Sequence, residues 1–326
     1  MQVGKTMDGS EDRRVLLATD FSAPAELAYA YGAGLVTALH ARMLILNVLE
    51  GPPGLDREFP VNTVFLKQMQ EESDRELAKL AHLAEKDGMA CETRQVYGQP
   101  AASVARVAEE VRATLIVMGT HGRTGWDRLL LGSAAEAVVR EAPCPVLTVR
   151  MSPKAVAADI PGSVKIDRVL VPLDFSEFAQ EAFEYAAMLA KQFGAKVLLV
   201  HAMEAAAYPL DFALFGVSEA AALRGRIQVR LHELMSVLKA DGVEAEVVCE
   251  TGTAAELIMK EAERFQLGAN GAIVMGTHGR RGLNRLALGS VAEYVVRHAA
   301  CPVFTVKSPR YRYGKTREVG DATKKI

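Results

Sequence analysis

The sequence predicts an α/β protein of two tandem domains, each a doubly wound parallel five-stranded sheet. Three observations carry that expectation. Short runs rich in Val, Ile and Leu alternate with longer amphipathic stretches, the order that builds parallel sheets covered by helices on both faces. The stretch IVMGTHGR occurs twice, at Ile116–Arg123 and Ile273–Arg280. Each first strand ends on an acidic residue and each fourth strand runs into glycines, at the carboxyl ends of strands where open α/β sheets bind ligands.

Taken in order, Arg14–Thr19 (RVLLAT) is the first strand and ends at Asp20. Ser22 then stands at the cap of a helix whose second residue is Pro24, a position that tolerates a missing N–H. Met43–Val48 is the second strand. The polar, proline-bearing segment Glu50–Asn62 leads to an amphipathic helix over Thr63–Lys86. A third strand, Cys91–Val96, passes through Gly98-Gln99-Pro100 into a helix at Ala101–Arg112. The fourth strand, Leu115–Met118, is followed by the glycine-rich stretch and a helix over Ser133–Glu141. Pro145–Val149 closes the domain, its leading proline suiting the start of an edge strand.

The whole order then recurs. Val169–Leu173, Asp174 and Ser176 repeat the opening, Lys196–Ala202 the second strand and Pro302–Val306 the closing strand. Asp20 and Asp174 lie 154 residues apart, Gly119 and Gly276 157, so three residues are added near Gln266–Gly271. The predicted organisation is a first domain over 13–150, a linker at 151–164, a second domain over 165–307 and a basic tail at 308–326. The tail carries six basic and two acidic residues and no core-forming pattern, which reads as a solvated segment.

With 38 basic against 40 acidic residues, bulk charge supplies no attraction to nucleic acid or anionic membrane, and neither partner is expected. No run approaches a membrane span and no signal-peptide core follows the polar start, so the expected location is cytoplasmic. Four cysteines without a C-x-x-C spacing read as buried, reduced thiols.

The duplicated stretch reads G-x2-G-x9-G-S in both halves: Gly119, Gly122, Gly132 and Ser133, then Gly276, Gly279, Gly289 and Ser290. Glycines let backbone lie close to a ligand, and a helix N-terminus offers free N–H groups and a positive dipole end, which together make an anion cradle. The plainer reading is a turn after a strand, with Ser133–Glu136 and Ser290–Glu293 as capping boxes. Repetition of the full spacing favours the cradle. No lysine follows the final glycine of either copy, so neither is a P-loop.

With its V-L-x-x-x-D-F-S opening and CPV closing strand, this pattern resembles the ATP-binding kind of universal stress protein in tandem, over nearly the whole chain. The resemblance implies a Rossmann-like fold of the adenine nucleotide alpha hydrolase type. It also implies ATP or another adenine nucleotide as ligand, with or without Mg. The acidic residue that contacts the adenosine falls on Asp20 and Asp174. The backbone contact to adenine falls at Val48 and Ala202, and the phosphate contacts on the glycines and serines just named. Pairing of the closing strands into an internal pseudo-dimer is implied too, with a homodimer as a further assembly. The chain departs from the family pattern at Thr114 and Gly271, where Asp is usual, and at Ala202, where valine is common.

Asp20 and Asp174 read as binding groups, since no second carboxylate or histidine stands nearby in sequence to tune either as a base. His121 and His278 lie inside the repeated stretch as candidate hydrogen-bond donors, and Arg123, Arg128, Arg280, Arg281 and Arg285 as candidate phosphate contacts. No catalytic residue is assigned. The functional expectation is nucleotide occupancy used as a regulatory signal in stress adaptation. A slow ATPase or phosphate-transfer enzyme, and an assembly module with decayed sites, are the alternatives.

Overall fold

The computed structural model describes residues 13–51, 60–120, 131–150, 165–204, 217–279 and 288–307. The expected linker and tail lie outside them. The first half runs β1 (Arg14–Thr19), α1 (Ala23–Leu39), β2 (Arg42–Leu49), α2 (Pro60–Lys86), β3 (Cys91–Tyr97), α3 (Pro100–Glu110), β4 (Leu115–Gly119), α4 (Ser133–Glu141) and β5 (Val146–Val149). The second runs β6 (Arg168–Pro172), α5 (Glu177–Phe193), β7 (Lys196–Met203), α6 (Val217–Ala240), β8 (Ala245–Thr251), α7 (Ala254–Arg264), β9 (Gly271–Gly276), α8 (Ser290–His298) and β10 (Val303–Val306).

Each half is a parallel sheet, and the two join edge to edge in one ten-stranded sheet of order β3-β2-β1-β4-β5-β10-β9-β6-β7-β8. β1, β2, β4 and their counterparts are apolar on both faces because helices cover both. Val15, Leu16 and Leu17, three consecutive residues, are all fully buried. One layer of core lies under α1, α2, α5 and α6 and the other under α3, α4, α7 and α8, and each draws on both halves.

The closing strands are edges only within their own half. β5 and β10 pair antiparallel at the centre, with Leu147 opposite Phe304. Thr148 Oγ1 donates to the Val303 carbonyl and Thr305 Oγ1 to the Val146 carbonyl, each at 3.2 Å. The prolines expected to start these strands sit just before them, and their carbonyls still accept from Ile116 N–H of β4 and Ile273 N–H of β9, each at 3.0 Å. Beside the seam, the Lys307 ammonium donates to the carbonyls of Arg140 and Ala142 at the end of α4. Arg150 answers it at the Arg297 carbonyl of α8. Each half thus places a cation at the negative end of a helix of the other. The three-residue insertion has a use here: Tyr31 O–H of α1 donates to the Ala269 carbonyl at 2.7 Å.

Cys144 and Cys301 are buried, which pushes both thiols up to about 12. Cys91 and Cys249 are only half-buried, a correction to the sequence expectation. They lie on the outermost strands, β3 and β8, where the sheet is less covered.

Candidate functional site

At the end of β1 the chain turns through Phe21 at φ 62°, and at the end of β6 through Phe175 at φ 63°. A bulky side chain in the left-handed region costs on the order of 1 kcal/mol or more, and such strain clusters where function over-determines the backbone. The turn locks the preceding carboxylate. Asp20 Oδ1 accepts from Ser22 N–H at 3.1 Å and Ser22 Oγ at 2.6 Å; Asp174 Oδ1 accepts from Ser176 N–H at 3.0 Å and Oγ at 2.6 Å. Ser22 and Ser176 do occupy the N-cap positions of their helices. Only Ser176 caps with its side chain, accepting from Ala179 N–H at 3.2 Å, whereas the Ser22 hydroxyl makes no side-chain cap bond.

Val48 lies one residue past the end of the neighbouring ladder and Ala202 two. β1 stops with Thr19 opposite Asn47, and β6 with Pro172 opposite Val200. Alternate residues of a strand direct their peptides to opposite neighbours. Gly98 N–H donates to the Leu49 carbonyl, so Leu49 faces β3 and Val48 faces the β1 side, beyond where β1 has ended. Met203 likewise accepts from Gly252 N–H, so Ala202 faces the β6 side. Both peptides therefore present an edge to the space beside Asp20 and Asp174.

Sequence reasoning missed the polar residue that bridges each strand pair at its end. Asn47 Nδ2 donates to the Thr19 carbonyl at 2.7 Å, and its Oδ1 accepts from Ser73 Oγ of α2 at 2.8 Å. In the second half His201 Nδ1 donates to the Leu173 carbonyl at 2.6 Å. The available signal was a polar residue at the same place in both apolar strands, MLILNV and VLLVHA. A cleft of about 130 Å³ opens at this point in the first half, lined by Asp20, Phe21, Val48 and the α2 residues Met69, Glu72 and Ser73 among others.

The glycines divide into two kinds. A Cβ on Gly119 would stand 2.9 Å from the carbonyl carbon of Pro24, and one on Gly276 2.8 Å from that of Phe178. These two are glycine because strand and helix touch there, so they set the position of the Asp-bearing turn. Gly132 and Gly289 are the N-caps of α4 and α8, at φ −60° and −63°. These values are open to any residue, so φ is not what selects glycine here. A Cβ on Gly289 would meet the Thr277 carbonyl oxygen at 3.0 Å, and the N–H groups of Gly132 and Gly289 bond the Thr120 and Thr277 carbonyls at 2.9 Å. Helix start and strand end are thereby tied together. Because glycine holds the cap, Ser133 and Ser290 are exposed first residues of their helices, and the expected capping boxes do not form. Among the described residues, no side chain caps either N-terminus.

Gly279 lies against Asp174: a Cβ there would be 2.8 Å from Oδ2, which brings the glycine stretch and the carboxylate together in the second half. His278 is turned inward, its Nδ1 3.0 Å from Thr277 Oγ1 and its ring 5.1 Å from that of Phe178. It packs on the first turn of α5. Gly122, His121, Arg123, Arg128, Arg280, Arg281 and Arg285 lie outside the described residues.

The model of the Universal stress protein family matches residues 12–150 and again 165–307. A universal stress protein of Methanocaldococcus jannaschii is 33% identical over 144 residues, covering 44% of this chain and 84% of that one. The crystal structure of a universal stress protein from Archaeoglobus fulgidus superposes with a TM-score of 0.68 at 24% identity, over 91% of this chain and 99% of that one. A functionally unknown protein from Pseudomonas aeruginosa gives 0.58 at 17% identity, over 93% and 95%. These last two likenesses establish the fold alone.

Proposed function

The chain belongs to the universal stress protein family, matched twice along its length, and from that premise we propose that each half binds an adenine nucleotide, ATP or a close relative, whose occupancy is the regulatory output in stress adaptation. The observation that carries this is convergence. Locked Asp20, the outward peptide edge of Val48 and the side-chain-free N-terminus of α4 all lie at the carboxyl ends of neighbouring strands, as Asp174, Ala202 and α8 do in the second half.

In this reading the carboxylate accepts from the nucleoside. The Val48 or Ala202 peptide, one donor beside one acceptor, pairs with the base edge. The N–H groups after Gly132 or Gly289 hold phosphate, with or without Mg, where the helix dipole favours negative charge. Ser133 and Ser290 add hydroxyl donors at the same end. Gly119 and Gly276 position the site by allowing close packing, and Gly279 adjoins the Asp174 carboxylate. Asp20 and Asp174 serve as binding groups, each with one oxygen already engaged by a serine. Pairing of β5 with β10 uses the closing edges inside one chain, so a homodimer would form through another surface. Denaturing the purified protein and identifying released nucleotide by mass spectrometry tests the reading. An adenine nucleotide near two per chain is expected; a chain that neither carries nor binds any nucleotide would refute it.

A further inference from the structure

The residues around the cleft of the first half and their counterparts in the second share a plan but not a polarity. In the first half, among the described residues, every charged residue lining the cleft is a carboxylate: Asp20, Glu50 and Glu72. Their counterparts 154 residues on are Asp174, Glu204 and Arg226. Glu204 is diverted, its Oε1 accepting from Ala254 N–H at the start of α7 at 2.7 Å. Glu72 has become arginine. One turn further along α6, Arg230 stands where α2 has Glu76, and its guanidinium lies 4.5 Å from the centre of the Phe175 ring, beside Asp174. His201 also adjoins that ring, its own ring centre 4.9 Å away.

Interior residues changed in step. The Asn47–Ser73 hydrogen bond of the first half is replaced by His201 and the apolar Ile227. Where the first cleft offers hydrogen-bond acceptors and negative charge, the second offers guanidinium donors. Guanidinium groups recognise planar acceptor pairs and phosphate, and they discriminate against amines.

We propose that the second site selects a nucleotide bearing an acceptor or anionic group at its nucleoside end, a 6-oxopurine or a phosphorylated ribose, with Arg226 and Arg230 as its specificity residues. The first site selects the adenine nucleotide, whose exocyclic amine donates to carboxylate. This rests on the nucleotide reading above and adds a division of labour between the halves.

The test uses full-length chain with one site blocked, Gly132→Asp to isolate the second and Gly289→Asp to isolate the first. Calorimetric titrations compare ATP with GTP, and AMP with adenosine 3′,5′-bisphosphate. The isolated second site is expected to favour GTP or the bisphosphate by about tenfold, the size of one matched guanidinium contact. The first site is expected to favour ATP and AMP. Preference for GTP assigns the acceptor to the base; preference for the bisphosphate assigns it to the ribose. Arg226→Glu with Arg230→Glu, both at exposed positions, is expected to abolish the preference, with the melting temperature measured alongside to show that the double variant is folded. Equal preference orders at the two sites, or a preference that survives the double reversal, would overturn the proposal and leave nucleotide binding standing. A parent chain that binds none of the four would overturn both.

Discussion

Replacing Gly289 by aspartate separates the binding role of the α8 N-terminus from its structural one. The substituted residue keeps the N-cap position at φ −63° and ψ 142°, extended backbone that aspartate adopts readily. Its Cβ would stand 3.0 Å from the Thr277 carbonyl oxygen and 3.4 Å from His278 Cα, a crowding that costs about 1 kcal/mol. Against this, aspartate is a better N-cap than glycine by a few tenths of a kcal/mol, roughly. The net change in stability is therefore about 1 kcal/mol or less, a shift of only about 2–4 °C in melting temperature. Ligand binding should suffer far more. A capping carboxylate accepts from the N–H groups of Val291 or Ala292, the donors assigned to phosphate. Each such charge-assisted bond is worth about 1.5–3 kcal/mol, so losing two removes on the order of a thousandfold in affinity before like-charge repulsion is added. Isothermal calorimetry should give two nucleotides per parent chain, one in Gly289→Asp, one in Gly132→Asp and none in the double variant. A double variant that keeps parental affinity would refute the assignment of phosphate to these helix ends.

Three other outcomes are expected. Val303→Lys or Val146→Lys puts an unpaired cation into the β5–β10 seam, where the valines are 2% and 1% exposed, and should cost about 3 kcal/mol or more in chemical denaturation; unchanged stability would mean the seam does not form in solution. Burial pushes the Lys307 ammonium down to about 8 from 10.5, so between those values the unfolded chain holds a proton the folded chain has released, and this group's contribution to stability rises with pH across that window; melting temperatures of parent and Lys307→Met chains should differ in slope from pH 8 to 10, and parallel curves would contradict it. Deleting residues 308–326 should leave ATP affinity within twofold or so, and a large loss on titration would show that the tail contributes to a site.

Much of this was legible in the chain itself, because strand and helix periods are local properties. β1 and α4 begin and end where pattern placed them, and α2 starts earlier only because Pro60 is admitted to a first turn. Duplication then announced two equivalent halves. Asp20 and Asp174 were identifiable because an acidic residue between an apolar strand and a capped helix can lie only at a strand's carboxyl end.

The glycines were another matter. Spacing marked Gly119 and Gly132 alike, yet the first is glycine to admit the backbone of Pro24 and the second stands at a helix N-terminus. A sequence records that a Cβ is missing, and only the fold shows what would have struck it. The same limit hid Asn47 and His201, whose partners Thr19 and Leu173 lie 28 residues away across a strand pair. Sequence by itself determined the order of elements, the duplication and the strand ends at which Asp20 and Asp174 stand, since these follow from periodicity and short-range chemistry. Tertiary structure decided how β5 meets β10, which glycines serve packing, and that Arg230 stands over Phe175 where the first half has Glu76. Each of those depends on groups brought together from distant parts of the chain, and proximity of that kind is a product of folding.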